Sequence, residues 1–351
     1  MVTEAFMKDS IKFTVFADFH YKKGMYAPSV ENLEEILKRA NDDGAELILH
    51  LGDFCNYYKG SPELVDLLMK NPYGLRFYGT FGNHELEADP MDYVLTKITN
   101  DHSGTVFGSD DGRPTADAAY YYHDEGKFRF ISLDTNYSYN EERDEWQRNT
   151  ALARPKENVK GDSIGPRQLA WLEKTLSDAA DGGMKAIIFA HAGFSGVWNS
   201  SPDHREVRNI IARTNEKRAG TVILVMNGHY HTNHLQMIDG VLYFDVNTAI
   251  NGHWQSQPIE HYFDEHTYFF TDYDELGNKK ESYNRRYSEL TMAKKTWFFR
   301  DPLSATLTVN VDGTVEILGK ESSWVYDITP PEGISSATVP MIGSGVFKTG
   351  K

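Results

Sequence analysis

Residues 227 to 234 read NGHYHTNH, three histidines in eight positions directly after the apolar run TVILVM. Neutral imidazoles suit transition metals, and two of them two residues apart on an extended segment face the same side. His229 and His231 are therefore expected as a pair of donors at the end of a strand. Asp18 and His20 repeat the spacing in ADFH, and Asp53 in LGDF, Asn83 and His84 in GNHE and His191 in AHAG follow apolar runs of their own. Singly, each is more often a cap, a turn residue or a satisfied polar group. Occurring in order at five strand ends, they form a set. Asp18, His20, Asp53, Asn83, His191, His229 and His231 supply seven nitrogen and oxygen donors. That is too many for one tetrahedral zinc and suits two five- or six-coordinate ions sharing a bridging carboxylate, for which Asp53 is the natural candidate.

The elements that must bring these residues together alternate in type. IKFTVFAD (11 to 18) reads as a β-rich strand. SVENLEEILKRANDDG follows with Leu33, Ile36, Leu37 and Ala40 at helical spacing, Ser29 as its cap and Gly44 at its end. AELILHLGD and LRFYGTFGNHE are expected as further strands, SPELVDLLMK and a polar segment near 88 to 99 as helices. AAYYYHDEGKFRFISLDT reads as a hairpin turning at Asp124 to Gly126, and SIGPRQLAWLEKTLSDAADGG as an amphipathic helix with Pro166 in its first turn. KAIIFAHAG and GTVILVMNGHYH are buried strands on either side of the helical PDHREVRNIIARTNE. HLQMIDGVLYFDVNTA and ATLTVNVDGTVEILG are antiparallel hairpins with Asp-Gly turns. The pattern is α/β, and in such sheets the carboxyl ends of the strands form the ligand crevice.

The string D-x-H, G-D, G-N-H-[DE], H, G-H-x-H, running from residue 18 to residue 231, resembles the calcineurin-like metallophosphoesterase superfamily. The resemblance implies a four-layer α/β/β/α sandwich of two mixed β-sheets flanked by helices. It implies that Asp18, His20, Asp53 and His231 hold one metal ion, that Asp53, Asn83, His191 and His229 hold the other, and that His84 stands at the phosphate unbound to metal. The activity implied is hydrolysis of phosphate esters: hydroxide generated between the ions attacks phosphorus, with Asp53 as bridge and His84 assisting. The cofactors are then two divalent ions, manganese, iron, zinc or cobalt.

Two departures narrow the class. Protein Ser/Thr phosphatases carry G-D-x-x-D-R where this chain reads GDFCNY, with Asn56 and Tyr57 in the last two places, and purple acid phosphatases place a tyrosine ligand where Asn56 stands. What remains resembles the bacterial branch that contains the class III cyclic-nucleotide phosphodiesterases. The expected function is a phosphodiesterase acting on a small molecule such as a cyclic nucleotide. The alternatives are a phosphomonoesterase of the same superfamily and a scaffold that has lost catalysis. A metalloprotease is disfavoured, because no H-E-x-x-H occurs.

The chain has 351 residues, a formal charge of -15 and one cysteine, Cys55. The acidic balance argues against tracking a long nucleic acid, which takes lysine and arginine in place of counterions. A small phosphorylated substrate is the expected partner, and no membrane. One cysteine leaves no disulfide framework, and MVTEAFMKDSIKF carries no export pattern, so the expected compartment is the cytoplasm. A single domain is expected over 1–325, with insertions near 137–163 and 251–298 and an extended tail over 326–351. Tyr57, Tyr58 and the aromatic residues of the two insertions are candidates to stack on a base. His50 is expected as a core residue, Cys55 as a small buried hydrophobe, and Asp134 as a turn residue or a support for the donors. His102, His123, His204, His234, His253, His261 and His266 are expected on the surface or in loops.

Overall fold

A computed structural model describes residues 8–21, 29–55, 66–68, 70–85, 104–113, 115, 119–149, 162–196, 200–231, 234–249, 301–322 and 344–350. The segments expected as helices at 61–70 (for the most part) and 88–99, and the 251–298 insertion, lie outside these residues, as do Asn56, Tyr57 and Tyr58.

The first sheet is built on β1 (Ser10–Phe16), β2 (Leu47–His50) and β3 (Arg76–Gly79), which run parallel. On the other side of β1 the sheet continues antiparallel through β13 (Ala305–Asn310), β14 (Thr314–Gly319) and β15 (Gly345–Lys348). The segment read as an extended tail thus closes this sheet with a short edge strand. In the second sheet β6 (Phe128–Leu133), β9 (Lys185–Ala190), β10 (Val222–Asn227) and β12 (Val241–Asp245) run parallel. It is completed antiparallel by β11 (His234–Ile238) at one edge and by β5 (Tyr121–Glu125) and β4 (Val106–Phe107) at the other. The β11–β12 turn is Asp239-Gly240, with φ of 50° and 75°, the pair of left-handed residues that a two-residue hairpin favours. A separate ribbon, β7 (Tyr137–Asn140) with β8 (Glu145–Arg148), stands apart from both sheets.

Helices cover the outer faces. α1 (Val30–Asp42) starts at Ser29, whose hydroxyl accepts from the Asn32 N–H while the Asn32 side chain accepts from the Ser29 N–H. Its apolar stripe, Leu33, Ile36, Leu37 and Ala40, joins the core of the first sheet. α2 (Gly165–Gly182) and α3 (His204–Lys217) cover the second sheet. The period of two in the strands sets the layers. In β9, Ile187 and Phe189 face the inter-sheet core, while Ala186, Ile188 and Ala190 meet Leu172 and Leu176 of α2 and Val207, Ile210 and Ile211 of α3. Strands buried on both faces read as continuous apolar runs, as these do. The expected sandwich of two mixed sheets between helices is thus the observed one.

Phe13 of β1 meets Phe130 of β6 edge to face, with centroids 5.4 Å apart, and so joins the sheets. Phe13→Ala is expected to cost about 3–5 kcal/mol, read as a lowered midpoint in denaturant unfolding with an unchanged slope.

Candidate metal centre

Five parallel strands deliver the predicted donors at their carboxyl ends. β1 leads to Asp18 and His20, β2 to Asp53, β3 to Asn83 and His84, β9 to His191, and β10 to His229 and His231. Three strands belong to one sheet and two to the other, so the site lies where both sheets end.

The local geometry differs from the expected one. β1 stops at Phe16 and β10 at Asn227, so neither i, i+2 pair lies on extended backbone. Asp18, His20, Asp53, His229 and His231 have φ of 49°, 52°, 53°, 70° and 51°. Each sits in the left-handed region, which costs a residue with a side chain about 1–2 kcal/mol and which Asp and His visit more readily than most. Backbone strain of this kind clusters at functional sites. The loops are held by a hydrogen-bonded run: the Asp18 N–H donates to Gly52 O at 3.0 Å and the His20 N–H to Asp53 O at 2.9 Å.

Glycine has a steric reason beside Asp53. A Cβ on Gly52, whose φ is +90°, would lie 2.7 Å from Gly82 N, and one on Gly82 would collide with the Asp53 carboxylate and N–H. The two loops touch backbone to backbone.

The donors form two separate groups, and a third, His20, Asp53 and His84, takes one residue from each and so links them. Asp18, His20 and His231 make the first: His231 Nε2 lies 3.2 Å from Asp18 Oδ1, His20 Nε2 lies 3.9 Å from the same oxygen, and the two imidazole nitrogens are 3.1 Å apart. Asp53, His191 and His229 make the second: His191 Nε2 is 3.1 Å from Asp53 Oδ2, 3.2 Å from Asn83 Oδ1 and 3.0 Å from His229 Nδ1. Asp53 joins the groups, since its Oδ2 also stands 3.8 Å from His20 Nε2. His84 Nε2 approaches Asp53 Oδ2 at 3.9 Å from the mouth, where its side chain is 30% exposed.

This arrangement fits cations. His191 donates its Nδ1 proton to Leu51 O at 2.8 Å, which leaves the Nε2 lone pair facing a carboxylate oxygen, an amide oxygen and a second imidazole. Acceptors crowded on acceptors need a proton or a cation between them. The buried Asp18 Oδ1 accepts no hydrogen bond. Titration has the same sense. Burial opposes charge on both partners, yet the Asp53 charge raises His191 to about 10, and the charge and hydrogen bond of His191 hold Asp53 well below the usual carboxylate range. His229 is lowered, by burial first and then by its positive neighbour His191.

A family model described as calcineurin-like phosphoesterase matches residues 11–233. The chain belongs to this family. It is a metal-dependent phosphoesterase with a His/Asp site suited to two divalent ions. No curated protein matches its sequence. Among solved structures, the fold is similar to that of a dimetal phosphatase from Danio rerio, at 14% identity and a TM-score of 0.58, covering 91% of this chain and 99% of that one. It is also similar to PhoD, at 11% identity and a TM-score of 0.50, covering 97% and 69%.

This calcineurin-like phosphoesterase relies on a residue to which sequence reasoning assigned no role. Glu85, the last letter of GNHE, is buried and accepts from the N–H groups of Gly82 (2.6 Å), Asp53 (2.8 Å), Phe54 (2.6 Å) and Cys55 (3.3 Å). It ties the loop of Asn83 and His84 to the loop of Asp53. Burial and the Asp53 charge raise it to about 7. Asp134 is also a support: it is buried, pairs with Arg148 and binds Asn136, whose side chain donates to Phe81 O at 3.3 Å. His50 is buried as expected, its Nδ1 accepting from the Gly52 N–H at 3.2 Å, and Cys55 is buried as expected. His123 departs from expectation. It is buried in β5, stacked on Tyr78 with ring centroids 3.5 Å apart, because it shares the inward face with Tyr121 two residues earlier. His234, expected on the surface or in a loop, is half-buried in β11 against Asp245, and His204 opens α3, also half-buried. His102, His253, His261 and His266 lie outside the described residues.

Glu85→Ala leaves four N–H groups without their acceptor and is expected to weaken metal binding about 10- to 100-fold, measured by competition with a fluorescent chelator. Since a cation must displace the proton that His191 holds, metal uptake at neutral pH releases protons and affinity rises with pH. Calorimetry in buffers of different ionisation enthalpy checks this; equal apparent enthalpies in all buffers would contradict it.

Proposed function

We propose that this phosphoesterase hydrolyses phosphodiesters of small molecules, cyclic nucleotides among them. In this reading Asp18, His20, Asp53 and His231 hold one ion, and Asp53, Asn83, His191 and His229 hold the other. The ions, when bound, lower the pKa of water and neutralise the charge on the phosphoryl oxygens. The chain's own residues orient and protonate. Asp53 faces both donor groups with one oxygen and with the other accepts from the His84 N–H at 2.8 Å, which fixes where His84 stands. In this reading His84, half-buried and more accessible than the donors around it, donates a proton to a phosphoryl or leaving oxygen.

The observation that carries the diester reading is the nature of the charges. Among the described residues, the ion pairs of Asp18 and Asp53 are all with histidine, and GDFCNY lacks the arginine that holds phosphate in the Ser/Thr phosphatases. A monoester dianion brings one more negative charge than a diester and gains more from a bidentate guanidinium. The resemblance to the cyclic-nucleotide branch rests on the motif string alone, and it supports the same choice.

Metal-stripped and manganese-reconstituted protein, assayed on an aryl phosphodiester and the matching monoester, tests this. Turnover of the diester only after reconstitution is expected. Turnover of the monoester alone favours a phosphomonoesterase, and inactivity on both favours a binding scaffold. His84→Ala is expected to keep the metal and lose about 10²- to 10⁴-fold in kcat; a variant with near-normal kcat refutes the role.

A further inference from the structure

Beside the metal centre the described residues enclose a cleft of about 420 Å³ between the β7–β8 ribbon and the start of α2. Small-molecule sites commonly have about 300–1,000 Å³. Trp146 and Arg148 stand two apart on β8, opposite Tyr139 and Tyr137 of β7, and Tyr137, Trp146 and Arg148 line the cleft with Tyr120, Gly165 and Arg167.

Two walls are tied to the segments that carry donors. The Arg148 guanidinium lies 4.8 Å from the centroid of Phe81, two residues before Asn83. The opposite wall, Ile164 and Gly165, begins two residues after Asp162, whose carboxylate is 3.8 Å from His229 Nε2. Asp162, like His84, is on the accessible side of the centre, with 38% of its side chain exposed. Tyr137 exchanges backbone hydrogen bonds with Ser163, at 3.0 and 3.2 Å, so the ribbon is pinned to the segment that carries Asp162.

The cleft presents rings. Trp146 is 39% exposed although it packs on Gly165, where a Cβ would lie 3.3 Å from the indole, and against Tyr139 at 5.8 Å between centroids. An indole held from two sides and left accessible suits stacking on a planar group. The charge of Arg148 is spent on Asp134, in a pair that is almost wholly buried, so it offers no free cation to a second phosphate. Arg167 pairs with Asp110 only at the surface, at 3.2 Å, and its long stem can lie along the edge of a ring.

We infer that this cleft is the specificity site for the organic group of the ester, and that it takes a flat aromatic substituent, a nucleobase or an aryl ring, by stacking on Trp146. The inference rests on the phosphodiesterase reading above and deepens it. Two measurements on the manganese-loaded full chain separate them. The first needs no turnover: binding of adenosine, which has a base and no phosphorus, followed by equilibrium dialysis. Trp146→Ala is expected to weaken it about tenfold, a change within the range of base–aromatic stacking, and Trp146→Phe, which keeps a ring, to restore most of it. The second is the ratio of kcat/KM for a bis-aryl phosphodiester to that for the methyl aryl ester, expected to fall about tenfold in Trp146→Ala and to recover in Trp146→Phe. Adenosine binding that depends on Trp146, with no ester turned over, keeps the cleft and sinks the phosphodiesterase. Turnover with an unchanged ratio, or adenosine that fails to bind or binds equally to Trp146→Ala, overturns the cleft.

Discussion

Two carboxylates buried in a wall of imidazoles set the terms for the rest of the molecule. Asp18 and Asp53 lie almost wholly out of water, and among the described residues their ion pairs are all with histidine. A buried carboxylate without a compensating charge is expensive, so positive charge must come from protons on the rings or from cations between them. Without a metal, the charge and hydrogen bond of Asp53 raise His191 to about 10 in spite of its burial. Cations held by Asp18, Asn83 and the imidazoles would meet the same demand, since Asp18 Oδ1 has no hydrogen-bond donor and Asn83 Oδ1 faces an imidazole nitrogen.

Meeting that demand shapes the backbone. Five donors take left-handed φ values, each an energetic cost that regular strands would avoid, and two sheets provide the rigidity that holds them there. Glu85 performs the same task on one side of the centre. By gathering four N–H groups from two loops, it fixes Asp53 and Asn83 with respect to each other, although it stands in none of the donor groups. The contact of Gly52 with Gly82 lets those loops come that close.

Much of this was legible in the sequence, for reasons that differ by residue. Apolar runs ending in Asp, Asn or His announced the donors, because a parallel strand buried on both faces is mostly apolar until it reaches the crevice. The conformation of Asp18 and His20 was not legible. A spacing of two is equally compatible with an extended pair and with alternating left-handed residues, and only the chain they run beside decides between them. Glu85 could be read as a letter of a motif, but its function depends on N–H groups some thirty residues away. His123 left a usable signal, since the alternation in YYYHDE puts it on the face of Tyr121. β15 left almost none: GVFK is four residues long, amid glycine and serine, and is a strand only because the edge of β14 pairs with it.

The division of labour between strand ends and ribbon has a consequence for substrate choice. The seven predicted donors and His84 sit on loops anchored by the sheets, whereas Trp146 stands on a ribbon outside both, attached through Asn136, Ser163 and the Arg148–Asp134 pair. The rings thus belong to one element and the predicted donors to others. Contacts with a remote, unreacting part of the substrate promote reaction only when they help to hold phosphorus in position. The Arg148–Asp134–Asn136–Phe81 connection provides that link, because it joins the floor of the cleft to the backbone immediately before Asn83 and His84. A ring seated on Trp146 is therefore registered against the same short segment that presents His84.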